Sequence, residues 1–585
     1  MPVTQDFIVN STPVGWIYNP LAPTVATLAD GRALVVWLSV SPDIQSDNKD
    51  SEIRARWFNA DGTPAGDDFV VNTTQEGFQF APSAAAMADG RVIVTWDSEG
   101  SLRGIFLDPD APGTTTDFEL DAREGEFQLS SGARMIHEHH VTALSDGRFF
   151  VVWESNNGAD GETIDNGYFL DGFCVQGRFF AADGTALGDT MVLNATTIGR
   201  QYHPDVTELS DGCILVTFCN DDNSSVLARV ILADGSLQDQ DVQLNTMTDV
   251  DYESGVVAAL ADGRAVAVWY DEVSGSDQKE GYIRAHVIGA DGLPEGDDFV
   301  VSETFAKIKG NGSLPAITAL ADGGALVVWQ DENRKLLGHL LNADGQPVSV
   351  DFVIGSNPGY RSSSQTVEAL ADGRVLVSWD SSEDWNEESG PARVIKGVYF
   401  TPEMGGDGAD AMAGTAGLDV MMGLGGNDVL TGGMGDDSQM GGTGQDKLLG
   451  GTGDDLMVGE NGADVLNGGR GEDLLNGGAA RDVLNGGAGE DVLTGGAGRD
   501  ILTGGSGADT FFFDMGFGRD KIMDFSDGDM LQISDEMWSG TAESLIADHA
   551  WVTDDGVMID LCGGERISLV GLTTLDGLAD AITFL

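Results

Sequence analysis

The sequence predicts an all-β chain: a seven-bladed β-propeller, then a parallel β-roll, then a small C-terminal β-rich domain. Three observations carry that expectation. An Asp-Gly phrase recurs seven times in the first two-thirds of the 585 residues, a nine-residue metre then holds for 108 residues, and many of the 82 glycines crowd into that metre. The expected domains are 1–401, 402–512 and 513–585.

The recurring phrase is an apolar run, Asp-Gly, a second apolar run, then Trp. Its turns fall at Asp30, Asp89, Asp146, Asp211, Asp262, Asp322 and Asp372, and it ends at Trp37, Trp96, Trp153, Phe218, Trp269, Trp329 and Trp379. Spacings of 59, 57, 65, 51, 60 and 50 residues describe one unit joined by loops of varying length. Asp-Gly between Val/Ile/Leu-rich runs is a hairpin signature, since both turn residues tolerate positive φ. A second hairpin follows at Asp61-Gly62, Asp183-Gly184, Asp234-Gly235, Asp291-Gly292 and Asp344-Gly345. Four strands per unit make a propeller blade. The seventh unit stops after its third strand, Val394 to Phe400, and Pro2 to Asn10 mirrors Pro64 to Asn72. An N-terminal strand is therefore expected to complete the last blade and remove the exposed edges. A Trp common to nearly all blades is read as packing between blades.

Both Asp-Gly hairpins of a blade share one face, so the long irregular connections share the other. Those connections carry Trp16, Tyr18, Phe78, Phe80, Phe127, Tyr168, Tyr202, Tyr252, Tyr360 and Trp385 among many acids. Loops on a rigid scaffold suit recognition, although these aromatics can equally pack the loops themselves. Small residues fill the first strand of each blade, as in Ala84-Ala85-Ala86. Glu208 and Glu368 break that pattern and line the expected channel, either as solvated residues or as the two catalytic candidates. His137, His139, His140 and His203 precede the first strands of neighbouring blades, as surface histidines or as ligands of a transition metal. The run His137-Glu138-His139-His140 is not an HExxH zinc motif, because Val141 stands where the second histidine belongs. No GxSxG elbow and no GxxxxGK[ST] loop occurs.

Asp plus Glu number 96 against 30 Lys plus Arg, a formal charge of −66. That charge repels nucleic acid and anionic lipid, while 41% apolar residues and 11 Trp argue against disorder. Cys174, Cys213, Cys219 and Cys562 read as small buried hydrophobes. Cys213 and Cys219 stand roughly 20 Å apart along one strand and cannot pair. Residues 1–7 lack the basic and apolar parts of a signal peptide, and no apolar stretch is long enough to span a bilayer.

From Gly405 the nine-residue metre runs through twelve repeats. The sixth position is Asp in all twelve: Asp410, Asp419, Asp428, Asp437, Asp446, Asp455, Asp464, Asp473, Asp482, Asp491, Asp500 and Asp509. Position four is Gly except at Ala480, and position eight is apolar except at Gln439. Glycines allow tight turns with inward carbonyls, and the apolar residue fills a thin core. Two repeats make one coil, so aspartates 18 apart stack about 4.8 Å apart. Such a column opposes its own folding until a hard cation with six to eight oxygen ligands neutralises it. Calcium, as Ca2+, is that ion, and all twelve aspartates are its expected ligands.

This pattern, GGxGxDxUx with U a large apolar residue, resembles the repeats-in-toxin (RTX) family of haemolysin-type calcium-binding proteins. Asp509 to Asp514 and Gly518 to Phe525 resemble the region after the roll in serralysin-type proteins. The final Asp580-Ala581-Ile582-Thr583-Phe584-Leu585 is similar to uncleaved type I secretion signals. The resemblance implies export by the type I secretion machinery, an extracellular or cell-surface location, and a C-terminal secretion domain. The family's zinc protease and lipase domains are not matched, and the propeller fits no named family. Two functions follow as expectations: a secreted calcium-binding protein whose propeller binds a glycan or surface macromolecule, or a secreted polysaccharide hydrolase or lyase with its site at the channel mouth.

Overall fold

The Asp-Gly phrases fold into antiparallel hairpins, and the aspartate locks each turn. Asp30 Oδ1 accepts from the Arg32 N–H at 3.0 Å, and the same Asp-to-Arg bond recurs at Asp89, Asp146, Asp262 and Asp372. Gly31 supplies the left-handed backbone that the turn needs, at φ 86°. The computed structural model describes residues 7–11, 23–40, 51–73, 79–98, 101–111, 117–121, 138–155, 174–195, 199–221, 224–246, 252–272, 281–302, 315–331, 335–356, 365–383, 392–538, 540–561 and 564–584. Trp16, Tyr18, Phe78, Phe127, Tyr168, Tyr360, Trp385, His137 and Cys562 lie outside the described residues. The chain divides between Tyr399 and Phe400 into two compact units.

The first unit is a β-propeller. Six four-stranded antiparallel sheets stand separately, each with its strands in chain order. The innermost strands neighbour one another in sequence, from Thr24–Thr27 through Ala316–Ala319 to Gln365–Ala369, which returns to Thr24–Thr27. Gln365–Ala369 and Val375–Glu383 do not form a separate sheet, one fewer than the seven expected, because Ala392–Met404 runs on past Tyr399. Phe7–Ile8 pairs antiparallel with this long strand, Phe7 opposite Gly397.

A repeated latch shows what the N-terminal strand does there. In three of the separate sheets an Asn after the fourth strand accepts from a third-strand N–H: Asn72 from Ile53, Asn194 from Val175, Asn245 from Val226. Asn10 accepts from Ile395 in the same way, at 2.7 Å, although 385 residues separate them. Asn10→Ala should therefore lower propeller stability by about 1–2 kcal/mol, as Asn72→Ala would, by leaving a buried N–H unpaired. Denaturation followed by tryptophan fluorescence checks this.

Neighbouring sheets are held by two further devices. The seven aromatic residues that end the second strands are 3% exposed or less, and six of them, all but Trp379, join apolar clusters spanning adjacent sheets. On the hairpin face, arginines after Asp-Gly reach the next sheet's second hairpin. Arg91 donates to Ala182 O at 2.7 Å and Arg264 to Ala343 O at 2.6 Å, while Arg374 donates to Ala60 O and so links the last turn to the first.

In the second unit, the nonapeptides coil into two parallel sheets with a register of 18 residues, for example Val465↔Val483 and Leu456↔Leu474. Met421, Leu430, Leu448, Met457, Leu466, Leu475, Leu484, Leu493, Leu502 and Phe511 form the thin core. Gln439 occupies the same line fully buried, and its Nε2 donates to Leu449 O at 2.9 Å. The sheets continue beyond the repeats through Arg519–Ile522, Met530–Ile533 and Arg566–Val570, and Ile582–Phe584 pairs in parallel with Met530–Ile533. The helix Ala542–His549 starts at a Thr541 capping box and buries Leu545 and Ile546.

Ala480 stands at a glycine position and adopts φ 101°. A left-handed non-glycine residue costs about 1–3 kcal/mol, and glycine's extra chain entropy offsets part of that. Ala480→Gly should stabilise the calcium-loaded roll by about 1 kcal/mol, measured by chemical denaturation.

Candidate metal centre

The sixth-position aspartates form two ladders, each rung bonded to the next. Asp437 N–H donates to Asp455 Oδ1 at 2.9 Å, and Asp455 N–H to Asp473 Oδ1 at 2.9 Å. The second ladder runs likewise through Asp446, Asp464 and Asp482, each bond 2.8 Å. The side chains from Asp419 to Asp509 are 3% exposed or less. One carboxylate oxygen is thereby used and the other is not. Ten aspartates leave a buried Oδ2 without a hydrogen-bond partner: Asp428, Asp437, Asp446, Asp455, Asp464, Asp473, Asp482, Asp491, Asp500 and Asp520. The first rungs differ, because Asp410 Oδ2 accepts from Gly406 N–H and Asp419 Oδ2 from Thr415 N–H.

These orphan oxygens converge with backbone carbonyls. A Cβ added at Gly432 would meet Asp437 Oδ2 at 2.2 Å and Gly450 O at 2.7 Å, and Gly450 and Gly468 repeat the pattern. Each turn is thus a cradle of carboxylate and carbonyl oxygens that glycine keeps open. Buried carboxylate oxygens without donors, set beside backbone carbonyls, fit a hard divalent cation. Burial pushes the carboxyls up, to about 8 at Asp437 and about 7 at Asp455 and Asp482, with neighbouring carboxylates adding to the rise. Asp464, Asp473 and Asp491 are pushed to about 6 for the same reason.

The propeller candidates have separate hydrogen-bond and ion-pair partners, although His140 and His203 both lie close enough to Glu138 to lower its pKa. His139 is buried, its Nε2 3.0 Å from Thr95 Oγ1, because adjacent strand residues face opposite ways. His140 instead meets Asp205 at 3.2 Å, and His203 pairs with Glu138. Each described histidine of this set thus has its own partner, Thr95, Asp205 or Glu138. Glu208 ends its strand beside the Asp211-Gly212 turn and accepts from Ser145 N–H and Oγ at 2.7 and 3.1 Å. Glu368 lies near the Asp372-Gly373 turn, where burial raises it to about 7 and Thr27 Oγ1 donates at 3.4 Å. Both glutamates thus sit toward the hairpin face. His203 lies toward the other end of the Glu208 strand, roughly 16 Å away.

Sequence reasoning passed over one charged group at that other end. Glu154 is 1% exposed and accepts two bonds from Arg200, at 2.9 and 2.7 Å. Burial raises Glu154 to about 7. Glu138 nearby is held below the usual carboxylate range: burial, the largest single influence, raises it, but His203, His140 and Arg200 together outweigh that.

Residues 404–438, 440–475 and 476–511 match the family model described as the RTX calcium-binding nonapeptide repeat. The chain therefore carries RTX repeats from 404 to 511, and such repeats bind calcium ions. Among solved structures, the chain is similar to a protein of unknown function from Dyadobacter fermentans, with TM-score 0.40 and 14% identity over 68% of this chain and 98% of that one. It is also similar to an α-L-arabinanase of Penicillium chrysogenum complexed with arabinobiose, at 0.37 and 11% over 55% and 93%. A PL25 ulvan lyase gives 0.38 and 10% over 66% and 93%. No curated protein matches the chain.

Proposed function

We propose that this is a secreted calcium-binding protein, exported by type I machinery and folded outside the cell, whose propeller binds a glycan or another surface macromolecule. The buried Oδ2 oxygens left without donors carry the calcium part of this reading. In it, the twelve aspartates from Asp410 to Asp509 hold the ions, with glycine carbonyls as further ligands. Calcium supplies the positive charge that lets the two columns close. The chain's own glycines hold the turns open, and its leucines hold the coils in register.

We read residues 1–401 as a seven-bladed propeller, 402–512 as the roll and 513–585 as the cap with the secretion signal. The Asn10 latch on Ile395 and the return of Gln365–Ala369 to Thr24–Thr27 support the seventh blade. Binding by the propeller rests on the aromatic-rich connections expected from the sequence; of that set, Phe80 and Tyr202 lie in strands and pack against apolar clusters. A hydrolase at the channel mouth is the weaker reading, because Glu208 and Glu368 lie toward the hairpin ends and bond to Ser145 and Thr27. A glycan array run beside polysaccharide hydrolysis assays tests the choice. Binding without turnover supports the proposal, and turnover lost in Glu208→Gln or Glu368→Gln overturns it.

A further inference from the structure

The aspartate ladder does not stop where the repeats stop. Asp500 N–H donates to Asp520 Oδ1 at 2.9 Å, and Asp509 N–H to Asp529 Oδ1 at 3.0 Å, across 20 residues instead of 18. The extra two residues hide a further repeat. Met515-Gly516-Phe517-Gly518-Arg519-Asp520-Lys521-Ile522-Met523 has Gly at positions two and four, Asp at six and an apolar residue at eight. Only the first glycine is missing, replaced by Met515.

The structure treats this segment as another turn of the roll. Gly516 and Gly518 take left-handed backbone, at φ 92° and 90°. Leu502 faces Ile522 in the parallel ladder as Leu484 faces Leu502, and Ile522 is fully buried in the core line. Asp520 is 1% exposed, and its Oδ2 has no hydrogen-bond partner. The neighbouring ladder ends differently: Asp529 Oδ2 accepts from Ser526 N–H at 2.8 Å and Oγ at 3.3 Å, so protein donors close that column.

We propose that residues 515–523 are a thirteenth, calcium-binding repeat, with Asp520 as the ligand that fastens the C-terminal hairpin to the roll. The inference rests on the calcium reading of the roll. That hairpin, Gly556–Asp560 with Arg566–Val570, adds directly onto Arg519–Ile522. Arg566 N–H donates to Gly518 O at 2.9 Å, and Gly516 N–H donates to Glu565 Oε1 at 2.6 Å. Ordering of the turn and ordering of the hairpin are therefore one event.

The test uses the full chain and compares Asp520→Asn with Asp527→Asn, an exposed charge outside the ladder. Asn keeps the Oδ1 that accepts from Asp500 and removes only the anionic oxygen. Equilibrium dialysis should show about one calcium ion fewer per chain for Asp520→Asn and none lost for Asp527→Asn. Hydrogen exchange in Gly556–Val570 should rise at least about tenfold in saturating calcium, while Val465–Arg470 stays protected. Equal calcium content and unchanged exchange in Asp520→Asn overturn the proposal. Should that variant not fold, calcium titration of the unmodified chain decides: Arg566–Val570 must gain protection with calcium, and equal protection in chelator overturns the idea. An unmodified chain that binds no calcium at all defeats the roll reading itself, a separate outcome.

Discussion

Chelating calcium from the full chain will unfold residues 400–585 and leave residues 6–399 folded. Each ladder stacks buried carboxylates one coil apart, about 4.8 Å. At an effective dielectric near 20, each neighbouring pair of charges repels by roughly 3 kcal/mol before screening. The apolar line of one side chain per nonapeptide is thin, and a single buried leucine contributes only about 2–3 kcal/mol. The hydrogen bonds along the ladder do not relieve the unpaired Oδ2 atoms. Without the ion, repulsion and desolvation together exceed what the core returns. Hydrogen exchange should show full loss of protection in Val465–Arg470 and Val483–Ala488 in chelator, with Val92–Ser98 unchanged. A roll equally protected in chelator would falsify the calcium reading.

The pH response of the chelated chain follows from the same burial. Carboxyls raised to between about 6 and 8 in the fold stand against an ordinary value of 3.8. The folded roll therefore binds protons more readily than the unfolded chain does. The ionisation penalty is full above about pH 8 and fades as pH falls through 8 to 6 toward 4. Acidifying the chelated chain from about pH 8 to about pH 5 should restore part of the β signal in circular dichroism. With calcium present the direction reverses, because protons compete with the ion for the same oxygens. A chelated roll better ordered at the higher pH than at the lower would contradict this.

Much of this was legible from residue spacing, and the failures have local causes. The twelve aspartates and the apolar line were readable because a coil of two identical repeats superimposes residue on residue. Asp520 and Asp529 escaped because two inserted residues break the nine-residue count, and Met515 and Asp524 replace the leading glycine. The signal was still there in Gly516, Gly518, Asp520 and Ile522. The histidines were legible only as neighbours in sequence. Adjacency in sequence suggested a cluster, but His139 and His140 alternate across a strand, one turned to Thr95 and the other to Asp205. Glu208 and Glu368 were legible as exceptions among small residues, yet their partners, Ser145 and Thr27, come from neighbouring sheets that no local pattern reveals. The pairing of Glu154 with Arg200 is likewise a contact across 46 residues.

Gly462→Ala should weaken the roll through strain in its turn, with every aspartate left in place. Gly462 adopts φ 154°, and a Cβ there would sit 1.5 Å from Gly444 O, a backbone atom of the adjacent coil. That carbonyl cannot swing away, because the coils are held by the bond from Asp446 N–H to Asp464 Oδ1 at 2.8 Å. The turn must rotate instead. Ala480, one coil further along the same column, shows how far: its φ is 101°, not 154°. Ala480 makes that rotation and its coil keeps the Asp464 N–H to Asp482 Oδ1 bond at 2.8 Å, so the cost lies in the strained turn and not in a broken ladder. The expected loss is about 1–3 kcal/mol, with calcium affinity at the flanking turn falling about tenfold. Gly406→Ala is the control, since a Cβ there meets nothing within 4 Å and its backbone is not left-handed. Its effect should stay within about 1 kcal/mol. Calcium titrations followed by circular dichroism compare the two, and equal midpoints would show that open turns are not what glycine provides in this roll.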